Sequence, residues 1–132
     1  METKQAKRIT SAKVTEYVPD LSWNQWKEKA KGEHAGIPVP DSEKVTVEIT
    51  WPDTETFETL IGNDSGFATF LRLAKRCATH ISNFSLKGES IENGAELVAV
   101  RTGGTSRARE LAINIGSYIF KESLLDEEEE KN

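Results

Sequence analysis

Cysteine occurs once in the 132 residues, as Cys77, so no internal disulfide framework can form and a reducing compartment fits. The two histidines, His34 and His80, make no Cys-x-x-Cys or His-x-x-x-His spacing, so no metal site is expected. Long apolar runs are missing as well. None approaches the roughly 20 residues that cross a bilayer. The start, Met1-Glu2-Thr3-Lys4-Gln5, lacks the apolar core of a secretory signal. These absences lead us to expect a soluble protein of the cytoplasm with no membrane partner. No Gly-x-Gly-x-x-Gly or P-loop is present, which removes the commonest nucleotide cradles.

Charge of one sign is scarce only locally. The net charge is −5, from 17 basic and 22 acidic residues. Residues 1–13 hold Lys4, Lys7, Arg8 and Lys13 against one acid, Glu2, while Asp126 to Glu130 form an unbroken acidic run. The acidic run reads as a solvated, self-repelling tail. The basic start has no interleaved aromatics and the whole chain is acidic, so nucleic acid is not an expected partner.

The length suits one domain with a single core. We expect a flexible arm over 1–16, too polar to offset its ordering entropy, one domain over 17–125, and an acidic tail over 126–132. Leu21-Ser22-Trp23-Asn24-Gln25-Trp26 reads as a capping box on Ser22 and Gln25, opening a short helix that fades by Gly32. Trp23 and Trp26 would form a lid over the core. Two glycines and two prolines make 32–41 a loop.

Val45-Thr46-Val47-Glu48-Ile49-Thr50-Trp51 alternates apolar and polar, which predicts a strand, and Thr56 to Ile61 is the expected return strand of a hairpin. From Phe67 to Phe84, apolar residues at 67, 70, 71, 74, 77, 78, 81 and 84 predict one long amphipathic helix, capped by Asp64 or Ser65. Ser85 to Glu89 would be its exit, with Gly88 left-handed. Residues 90–100 read as a short helix rather than a strand. A last helix follows, with a stripe of Ala108, Leu111, Ala112, Ile115, Tyr118 and Ile119 and with Ile113 and Phe120 widening it. Its charges oppose the macrodipole at both ends, so it should fray beyond about Leu125. The fold class is α+β: a small β-hairpin on two or three amphipathic helices, with a basic arm and an acidic tail.

Chemistry is sparse. Cys77 and His80 could be helical neighbours, but Cys77 lies on the buried stripe, which favours an inert core thiol. Thr102-Gly103-Gly104-Thr105-Ser106, beside Arg101, Arg107 and Arg109, is the best anion loop, yet it has neither the lysine nor the spacing of a P-loop. Glu48, Glu55 and Glu58 show no pairing. No catalytic residue, cofactor or metal is expected.

Two stretches resemble phage and prophage tail assembly chaperones: Ile81-Ser82-Asn83-Phe84-Ser85-Leu86-Lys87-Gly88, and Ser123-Leu124-Leu125-Asp126-Glu127-Glu128-Glu129-Glu130-Lys131-Asn132. A hairpin before a central helix is also similar, so the likeness spans residues 45–132. It implies a non-enzymatic factor in the bacterial host cytoplasm. Such a factor binds the tape measure protein, promotes assembly of the major tail tube protein around it, and then leaves. Homo-oligomers are compatible with that role. The residues expected to bind partners are Phe84, Leu86, Tyr118, Phe120, Leu124 and Leu125, with Glu127, Glu128, Glu129 and Glu130 keeping a complex soluble or meeting basic groups. The rival readings are a structural component, such as a tail-completion or head–tail protein, and an acidic inhibitor that mimics DNA.

Overall fold

Alternation along 45–51 does produce a strand. The structure, a computed structural model, describes residues 13–28, 34–62, 66–100 and 106–131. Thr46–Thr50 forms β4, with Val47 and Ile49 fully buried and Glu48 turned outward. β4 is the middle of a three-stranded antiparallel sheet, between β1 (Val14–Tyr17) and β5 (Ala78–Ser82). Tyr17 lies opposite Val47 on one side and Ile81 lies opposite it on the other. β1 therefore overlaps the arm expected over 1–16, whose first twelve residues lie outside the described ones.

The return strand expected at 56–61 is a helix instead, α1 (Thr54–Ile61). Asp53 is its N-cap and accepts from the Thr56 N–H at 2.7 Å, a bond that also lowers the Asp53 carboxyl pKa. Phe57, Leu60 and Ile61 stand at i, i+3 and i+4, one face of a helix, although Phe57 and Ile61 would also share one face of a strand, and Phe57 is buried. At the far end Arg72 donates from Nε to the Leu60 carbonyl (2.7 Å) and from Nη2 to the Ile61 carbonyl (3.3 Å). A cation thus sits on carbonyls the helix leaves unpaired.

The long helix expected over 67–84 is two elements. α2 (Phe67–Cys77) stops at Cys77 and the chain turns directly into β5. Ala78 and Ile81, spaced for a helix, are buried from the strand that pairs with the open edge of β4; the Ala78 N–H closes α2 on the Ala74 carbonyl, and the Ile81 N–H bonds the Glu92 carbonyl at 2.8 Å. The ladder slips between Glu48 and Ile49, leaving Thr79 as an extra residue. Its hydroxyl bonds the Glu48 carbonyl (3.2 Å) and the Thr50 hydroxyl (3.0 Å). Gly66 is the N-cap of α2 and makes no side-chain cap bond; Asp64 and Ser65 lie outside the described residues. The buried face is Thr69, Leu73, Ala74 and Cys77, rotated from the expected stripe, and Phe67 is 58% exposed.

That rotation follows from two glycines. α3 (Gly94–Ala99) and α4 (Ser106–Lys131) both pack on α2. A Cβ on Gly94 would lie 2.0 Å from the Ala74 carbonyl oxygen, and one on Gly116 would lie 2.0 Å from that of Phe70. Backbone meets backbone at both crossings, so α2 turns its small and medium side chains there. α3 is the helix expected within 90–100, capped by Asn93, which accepts from the Glu96 N–H at 2.9 Å. On α4, Ala108, Leu111, Ala112, Ile115 and Ile119 are buried as the stripe predicts. The helix does not fray near Leu125 but continues to Lys131. Glutamate is a good helix former, and its propensity outweighs a misplaced charge of a few tenths of a kcal/mol.

Between α2 and α3 a hairpin joins β6 (Ser85–Leu86) to β7 (Glu89–Ser90). Lys87 and Gly88 both have positive φ, 52° and 83°, as its tight turn requires. The helix expected after Ser22 is absent. Ser22–Asn24 is a single 3-10 turn without a side-chain cap, and Gln25 bonds the Asp20 carboxylate. Asn24 explains the loss. Its Oδ1 accepts from the Val45 N–H (2.7 Å), and its Nδ2 donates to the carbonyls of Pro19 (3.0 Å) and Val45 (3.1 Å). This buried side chain ties the turn to the start of β4. β2 (Trp26–Glu28) and β3 (His34–Pro38) then pair antiparallel, so β3 occupies part of the expected loop.

Candidate functional site

α4 carries most of the residues expected to meet a partner, and its two ends differ. Ile119 is the last buried residue of α4 among those described, and from there to Lys131 the helix runs on for about 18 Å. Leu124 is 38% exposed on this stretch. Leu125 and Glu127, Glu128, Glu129 and Glu130 share it, and their side chains lie outside the described residues. The remaining candidates are less available. Phe84 is buried, with its ring 5.8 Å from that of Trp23, so it is a core residue and not a contact surface. Phe120 is half-buried between Phe57 and Phe70, at 6.2 and 5.8 Å. Leu86 is half-buried on β6. Of the expected lid, Trp23 covers Phe84, whereas Trp26 is 39% exposed.

Tyr118 is half-buried and belongs to a cleft that the sequence does not reveal. Its ring stacks on Tyr17 with centroids 3.8 Å apart and planes 7° from parallel. Tyr17 donates its hydroxyl proton to Asn114 Oδ1 at 2.5 Å. Burial pushes the Tyr17 pKa up to about 12, with Tyr118 and Asp20 adding to the rise. The cleft, about 420 Å³, opens between Tyr17, Leu21 and the outer face of α4, where Ile113, Asn114, Ser117 and Lys121 line it. A stripe at Glu110, Ile113, Asn114, Ser117, Tyr118 and Lys121 is legible as a second helix face. Its partner, β1, is not. At the mouth of the cleft Trp23 donates its indole proton to Glu110 (2.8 Å), and the Arg107 guanidinium lies 4.5 Å from the Trp23 ring centroid.

The structure separates Cys77 from His80. Cys77 is buried in α2, where desolvation pushes its pKa up to about 11, and His80 is exposed on β5. A thiol held in its protonated form is a poor nucleophile. The glycine-rich stretch 101–105 lies outside the described residues. Among the described residues, no helix is long and apolar enough to cross a membrane, and no three potential ligands stand close enough to hold a metal ion. Comparison with protein-family models, curated proteins and solved structures gave no match.

Proposed function

We propose that the protein is a non-enzymatic phage tail assembly chaperone that binds the tape measure protein in the host cytoplasm and promotes assembly of the tail tube. The observation that carries the reading is the end of α4, where Leu124 is exposed. A helix anchored by Leu111, Ile115 and Ile119 continues to Lys131, with Leu124 exposed and a glutamate run in its last turns. An aggregation-prone helical client needs apolar contact presented on a body that stays in solution, and this end combines the two. The sequence likeness at Ser123 to Asn132 coincides with the same helix end. The chain acts by occupying the client and not by chemistry.

Co-expression with the tape measure protein of the same phage, followed by affinity capture and size exclusion, tests the reading. A soluble complex with a tape measure that otherwise precipitates is the expected result. A tape measure that still precipitates while the chain elutes alone overturns it.

A further inference from the structure

The sheet ends at β1, beside which no further strand pairs among the described residues. The Trp51 N–H donates to the Lys13 carbonyl at 2.9 Å, and Val14, Thr15, Glu16 and Tyr17 follow in register against Thr50, Ile49, Glu48 and Val47. Backbone groups of one strand alternate between its two sides, so Lys13, Thr15 and Tyr17 turn theirs to β4. Those of Val14 and Glu16 point away from the sheet. β1 is its terminal strand, with no further strand beside it among the described residues. The side chains at these same positions are exposed. Val14 is 54% and Val18 46% accessible, with Glu16 between them on the outer face.

Charge on that face is incomplete. Glu16 stands directly opposite Glu48 in a pair that exchanges no backbone bonds, the geometry that brings side chains closest. Two like charges so placed repel. Among the described residues no lysine or arginine pairs with either carboxylate, and the next group across, opposite Glu48, is His80. An exposed strand edge is a template for one more strand, and an edge glutamate discourages strands that would set an acid against it.

We propose that the open edge of β1 is a docking site for an extended basic segment of a partner protein. The segment adds as a strand through the backbone of Val14 and Glu16. Its lysine or arginine lies beside Glu16, with Glu48 one strand further on the same face, and apolar residues two positions to either side cover Val14 and Val18. The chemistry that recognises the partner is a basic residue flanked at alternate positions by branched apolar ones. The inference uses backbone groups and side chains of the sheet and none of the residues at the end of α4, so it stands or falls independently of the chaperone reading.

The probe is a blocked heptapeptide, acetyl-Thr-Val-Thr-Lys-Thr-Val-Thr-amide, titrated against the full chain and followed by amide shifts and hydrogen exchange. In the free chain the Val14 and Glu16 amides should exchange quickly and those of Thr15 and Tyr17 slowly. Saturating peptide should slow the first pair. N-methylation of the lysine amide should abolish binding, whereas N-methylation of the neighbouring threonine, whose amide faces away from β1, should not. A peptide with glutamate in place of lysine should bind about tenfold more weakly. Glu16→Lys should weaken the lysine peptide to a similar extent while making the chain itself more resistant to unfolding, because it relieves Glu48.

Three results overturn the inference. One is the absence of saturable shifts at Val14 and Glu16. Another is equal binding of the lysine and glutamate peptides. The third is slow exchange of both amides in the free chain. That would give the edge to another stretch of the same chain if independent of concentration, and to a second copy if dependent on it.

Discussion

Replacing Gly116 with alanine should destabilise the protein, although the same change on an exposed helix would stabilise it. Alanine outranks glycine in a helix interior by about 0.5–1 kcal/mol, through backbone entropy alone. At position 116 the added Cβ would lie 2.0 Å from the Phe70 carbonyl oxygen and 2.5 Å from the Phe70 carbonyl carbon and Cα. Ordinary contact begins at 3.4 Å, and the obstacle is backbone, so no side chain can swing aside. α2 and α4 must separate by more than 1 Å, loosening Leu73, Leu111 and Ile115, all fully buried. Overpacking costs about 1–3 kcal/mol, and a clash with backbone this close falls in the upper half of that range, so it outweighs the propensity gain by about 1–2 kcal/mol. For a domain of this size that lowers Tm by roughly 3–10 °C. Thermal unfolding followed by circular dichroism reads the change. Ser117→Ala, one residue along but lining the open cleft, serves as control and should leave Tm within about 2 °C. A Gly116→Ala protein as stable as the parent, or more so, would refute the close approach of the two helices.

Three more outcomes follow from the same geometry. Asn24→Ala removes the side chain that satisfies one backbone N–H and two carbonyls, and it should cost about 2–4 kcal/mol in urea unfolding. A cost under about 1 kcal/mol would mean that water reaches those groups. The raised Tyr17 pKa keeps the proton bound longer in the folded chain than in the unfolded one, so the unfolded chain ionises first. Stability from this group is whole below pH 10.0 and is lost as pH rises towards about 12. Tyr17→Phe should flatten the stability curve in that window, and unchanged curvature would place the phenol in water. Cys77, pushed up to about 11 and buried, should react with a thiol reagent only when the chain opens, so labelling should accelerate with added urea. Immediate labelling in the native protein would contradict its burial.

What was legible in the sequence was local and single-periodic. β4 and the stripe of α4 each follow one clear period over many residues, and both fold as expected. Thr56–Ile61 fits two periods at once, and Asp53 decides it by capping Thr56. The end of α2 was invisible for a different reason. Ala78 and Ile81 continue the helical spacing, but the strand they form is chosen by an open edge on β4 thirty residues away. The Ser22 capping box failed in the same way, because Asn24 found better partners at Pro19 and Val45. The candidate site divides likewise. Leu124 could be read as exposed from its place beyond the stripe. Phe84 fits both the apolar stripe and a contact surface, and Trp23 above it decides for the core; the outer edge of β1 exists only once β4 is known to pair on its other side.

We propose that the end of α4 holds a tape measure protein in solution. The most direct test is the amount of soluble tape measure recovered on co-expression with the parent chain and with the Leu124→Ser, Leu125→Ser double variant, whose own Tm is measured alongside. The double variant should keep a Tm within a few degrees of the parent while recovery falls by about tenfold or more, the scale of losing apolar contacts worth at least about 1.4 kcal/mol. Equal recovery from the two chains would contradict it.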